Sequence, residues 1–117
     1  MFTPVRDLLS SMESLAGTEI SISGRLLVGL EHLYLADDYD AYARGERIAV
    51  DDGGIIVSCM NPQFSPYGGG DVMFDEAAYV TGTLEPNGEG YRLTRLRYCK
   101  IVGEQSTIEI PFPAGLP

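Results

Sequence analysis

The sequence predicts a mainly β fold, a five- to six-stranded antiparallel barrel preceded by one amphipathic α-helix, and three observations carry that expectation. From Thr18 onward apolar and polar residues alternate with a period of two, the pattern of strands with one buried face. Clusters of Gly, Pro, Asp and Asn interrupt these runs at intervals suited to turns. The chain has 117 residues, 44% of them hydrophobic, which fits a single domain over residues 1–117 with a core of its own.

The helix is expected over residues 3–17. Val5, Leu8, Leu9, Met12, Leu15 and Ala16 recur at helical spacing and form one apolar stripe. Thr3 is suited to cap its free amides, Pro4 to its first position and Gly17 to the left-handed turn beyond its end.

The barrel is expected over residues 18–102. In its first strand Ile20, Ile22, Leu26 and Val28 alternate with Glu19, Ser21, Ser23 and Arg25. Gly24 interrupts the inward face, and a glycine there commonly marks a bulge or bend. Further strands are expected at His32 to Ala36, Arg47 to Val50 and Ile55 to Met60, the last two joined by a hairpin turn at residues 51–54. Residues 61–75 hold Pro62, Pro66 and Gly68-Gly69-Gly70, too many breakers for a regular element. Strands resume at Glu76 to Leu84 and at Tyr91 to Val102, with a turn at residues 86–90. The proline-rich tail, residues 103–117, is expected to lie extended across the body.

Charge narrows the function classes. The formal net charge of −9 disfavours nonspecific nucleic-acid binding, which depends on cations displacing counterions. Twelve acidic residues lie between Glu31 and Glu89 against two basic ones, Arg44 and Arg47. Arg92, Arg95, Arg97 and Lys100 by contrast crowd into nine positions. No apolar run approaches a membrane span, and the start lacks signal-peptide character, so a cytoplasmic protein is expected. Cys59 and Cys99 lack the spacing of a zinc site and read as free thiols, a disulfide requiring an oxidising compartment.

The segments ISISGRLL (residues 20–27) and AAYVTGTLEPNGEGYRLTRLRYCKIV (residues 77–102) resemble OB-fold proteins of the anticodon-binding-like kind. Ile22, Gly24 and Arg25 match that family's first strand, and Val80, Gly82 and Leu84 match its late hairpin. The resemblance implies an OB-like barrel. Two departures stand beside it: the middle strands lack a basic, aromatic-studded face, and a Pro/Gly-rich stretch stands in place of the crossing helix. The helix before the first strand is then available to plug the barrel's open end.

Two residue sets are candidates for binding. Arg25, Tyr91, Arg92, Arg95, Arg97, Tyr98 and Lys100 offer cations and rings of the kind that track and stack single-stranded nucleic acid. They equally suit a solvated outer face whose arginines discourage edge pairing. Asp37, Asp38, Asp40, Asp51 and Asp52, with Phe64, Tyr67 and Phe74, offer an acidic surface and aromatic anchors for a protein partner. Read as a calcium loop from Asp38, the acidic run puts Tyr42 at the third ligand position and lacks the glycine at the sixth.

His32 has no nucleophile or carboxylate at a catalytic spacing, and Asp75 and Glu76 point to opposite faces of a strand. Gly68-Gly69-Gly70 neither follows a strand nor opens a helix, as a phosphate loop must. The expectation is a non-enzymatic binding module without metal or cofactor: an acidic inhibitor, immunity-type or interaction protein docking a basic partner. A single-stranded nucleic-acid-binding domain is the alternative.

Overall fold

The computed structural model describes residues 2–28, 33–51, 74–88, 90–103 and 107–110, residues 74 and 75 by backbone alone. In chain order these form β1 (Thr3–Pro4), α1 (Val5–Leu8), α2 (Met12–Leu15), β2 (Glu19–Val28), β3 (Leu33–Ala36), α3 (Tyr39–Ala43), β4 (Arg47–Val50), β5 (Phe74–Asn87), β6 (Gly90–Val102) and β7 (Thr107–Ile110). The expected strand and turn at residues 52–60, His32 and the breaker-rich stretch 61–73 lie outside the described residues.

Five strands close a barrel in the order β2, β3, β4, β6, β5 and back to β2. This is the OB-like architecture, with one correction to the antiparallel expectation. β4 runs parallel to β6, pairing Ala49 with Arg92 and Val50 with Leu93. Closing a five-stranded sheet in this order puts two same-direction strands side by side, and turn signals in the sequence do not report that.

The inward positions of the strands supply the core. Ile22, Leu26, Val28, Leu35, Ile48, Val50, Val80, Leu84, Leu93, Cys99 and Ile101 are buried in one cluster. Burying each large aliphatic side chain contributes roughly 1.5–3 kcal/mol.

The N-terminal stripe joins this core through Val5, Leu8 and Met12, with Leu9 and Leu15 partly buried against it. The continuous helix expected there is instead two four-residue turns broken at residues 9–11. Nor do Thr3 and Pro4 act as cap and first turn. They pair in parallel with Ile22 and Ser23, and α1 has no side-chain cap. Gly17 does take the left-handed conformation, φ +87°, and its amide donates to the Leu84 carbonyl.

Gly24 serves close approach rather than a bulge. The β2–β5 register runs unbroken through it, and a Cβ there would stand 2.8 Å from the Ala36 carbonyl oxygen and 3.2 Å from Val5 Cγ2. At this point β2 changes partner from β1 to β3, and Ala36 of β3 and Val5 of α1 both approach a residue with no side chain.

The irregularity lies between β5 and β6, where Thr81 opposes Tyr98 but Thr83 opposes Thr94. Strict alternation from Leu93 would send Arg95 and Arg97 into the core. Arg95 instead adopts φ 49°, which turns Leu96 onto the core and leaves both arginines exposed. Gly82 makes room: a Cβ there would lie 2.8 Å from the Thr94 carbonyl oxygen and 2.9 Å from Leu96 Cδ2. Part of the expected tail, β7, pairs antiparallel with residues 99–102 of β6 and buries Ile110. Among the described residues no helix is long and apolar enough to cross a membrane.

Candidate functional site

The first candidate surface is built on the outside of β2 and β3. There Leu27 and Ala36 face away from the main core and are covered by Ala41 and Tyr42 of α3, with Tyr34 packed alongside. The sequence reading missed this helix, because five residues are too few for a visible period. A signal was present in Asp38: its Oδ1 accepts a 2.7 Å hydrogen bond from the Ala41 amide, as an N-cap aspartate does.

The cap fixes the direction in which α3 presents its rings. Tyr42 lies 5.5 Å from Tyr34 and 5.7 Å from Tyr39, centroid to centroid. The Arg47 guanidinium stacks over Tyr34 at 4.4 Å and over Tyr42 at 4.6 Å, and it donates to the Tyr42 carbonyl. Tyr39 stays half exposed, at 50%, between Asp38 and Asp40.

Asp37 completes the acidic run and accepts a hydrogen bond from the Arg6 backbone amide. Arg44 is held by Glu46 through two 3.1 Å hydrogen bonds. That bond is the main reason the Glu46 carboxyl is held below its ordinary range and the Arg44 guanidinium above its own.

Asp51 belongs elsewhere. It stands beyond the far end of β4 from Arg47, roughly 13 Å along the strand. Its carboxylate accepts from Arg92 at 3.0 Å. Asp52, Phe64 and Tyr67 lie outside the described residues, and Phe74 is placed by its backbone, opposite Val28.

The second candidate surface, on β6, is charge-paired. Besides Arg92 with Asp51, Arg95 meets Glu85 at 3.7 Å and Arg97 meets Glu19 at 3.2 Å. Tyr91 is partly buried and packs against the barrel core. Lys100 stands opposite Tyr79 on one side and Glu109 on the other.

Arg25 does not join this group. It pairs across to Ala36, immediately before Asp37, on the acidic side of the barrel. Tyr98 meets Phe2 at 5.9 Å and donates to Glu109, and burial, with the Glu109 charge adding, pushes its phenol pKa up. Phe2 and Tyr79, 5.2 Å apart and absent from both candidate sets, complete a ring patch with Tyr98. Among the described residues no three His, Cys, Asp or Glu side chains converge on a metal-sized position. Comparison with protein-family models, with curated proteins and with solved structures returned no match.

Proposed function

We propose that this chain is a non-enzymatic, cytoplasmic binding module of the inhibitor, immunity or adaptor type, which docks a basic protein through the surface at the head of α3. The observation that carries this reading is Tyr39, half exposed and flanked by Asp37, Asp38 and Asp40. An exposed ring braced from behind by Tyr42 supplies rigid apolar area, and the surrounding carboxylates steer a cationic surface toward it. A cationic groove on a nucleic-acid-handling enzyme is one partner surface of the required sign.

The test is affinity capture from the native source on immobilised wild-type protein, Tyr39→Ala, the Asp37→Lys/Asp40→Lys double variant and Glu109→Lys. Asp38 is left intact because it caps α3. The expected result is a basic protein retained by wild type and Glu109→Lys. Tyr39→Ala should bind it about 30-fold more weakly, the effect of removing a central aromatic anchor worth roughly 2 kcal/mol. Equal retention by all four proteins would move the interface off α3.

A further inference from the structure

We draw no further inference here: the strongest candidate, the ring patch of Phe2, Tyr79 and Tyr98 on the outer face of β5 and β6, has Tyr79 39% exposed and Lys100 beside it, but Glu109 already holds the Tyr98 hydroxyl and nothing in the structure shows what covers the patch.

Discussion

Replacing Gly82 with Ala should destabilise the barrel, and the magnitude follows from what the added methyl would meet. Its Cβ would stand 2.8 Å from the Thr94 carbonyl oxygen, 2.9 Å from Leu96 Cδ2 and 3.0 Å from Leu93 Cγ. Leu96 is a side chain and can yield, but the Thr94 carbonyl is backbone inside β6 and cannot move without shifting the bulge. Overpacking of this kind costs about 1–3 kcal/mol. The loss of unfolded-chain freedom on exchanging Gly for Ala offsets about 0.4–1 kcal/mol of it. The net loss, about 1–2 kcal/mol at the middle of these ranges, should lower the urea midpoint by roughly 1 M at a typical slope.

Gly90→Ala is the matched control. Nothing lies within 4 Å of a Cβ at Gly90, so this exchange should be neutral or slightly stabilising. Adding Leu96→Ala to Gly82→Ala removes one close contact and leaves the carbonyl, so its cost should be less than the sum of the two single losses. A Gly82→Ala protein that unfolds at or above the wild-type midpoint would refute the bulge, and with it the outward placement of Arg95 and Arg97.

Other consequences are tested separately. A double-mutant cycle on Arg92→Ala and Asp51→Ala should return a coupling of about 0.2–1 kcal/mol, since the pair is partly exposed, and zero coupling in low salt would remove the bridge. Asp38→Ala should cost about 1 kcal/mol while Asp38→Asn, which can still accept from the Ala41 amide, costs less; equal losses would deny the cap. In an alkaline titration followed by tyrosinate absorbance, Tyr98→Phe should remove a component that titrates late. The sign follows from the raised phenol pKa: the contribution to stability is complete below the unfolded value and lost as pH rises through the folded one. Labelled single-stranded DNA and RNA should show no saturable anisotropy change at about 50 mM salt, and binding that weakens steeply by about 200 mM would promote β6 over α3.

The barrel was legible in the sequence where burial is one-sided. Arg47 to Val50 forms a strand with the expected bounds, and Ile22, Leu26, Val80 and Leu84 face the core as their alternation requires. Interactions between distant segments were not legible. The parallel neighbour of β4, the partner of β7 and the pairing of β1 depend on how strands are brought together, which no local period encodes. The bulge did leave a mark: Leu93, Leu96 and Cys99 are spaced by three, a period that a plain strand cannot bury on one face. Arg92, Arg95, Arg97 and Lys100 invite grouping by number, yet in a regular strand Arg92 and Lys100 oppose Arg95 and Arg97. The bulge alone puts all four outside.

The two charged surfaces differ in what their carboxylates bind, and that difference sets their long-range fields. On β6 the carboxylates of Asp51, Glu85 and Glu19 each meet a guanidinium, so each pair is nearly neutral beyond a few ångströms. A phosphate approaching an arginine so paired meets a neighbouring carboxylate that offsets much of its attraction. At α3 the Asp37 and Asp38 carboxylates accept from backbone amides of Arg6 and Ala41, which do not cancel the charge, and the nearby Arg44 is bonded to Glu46. The negative field therefore persists, with a screening length of about 10 Å at 0.1 M salt. For a basic partner docking at α3, raising salt from about 50 to 200 mM should slow association more than it speeds dissociation. The Asp37→Lys/Asp40→Lys variant should lose most of that salt dependence. A partner whose association rate falls equally with salt for wild type and variant is being steered by some other part of the surface.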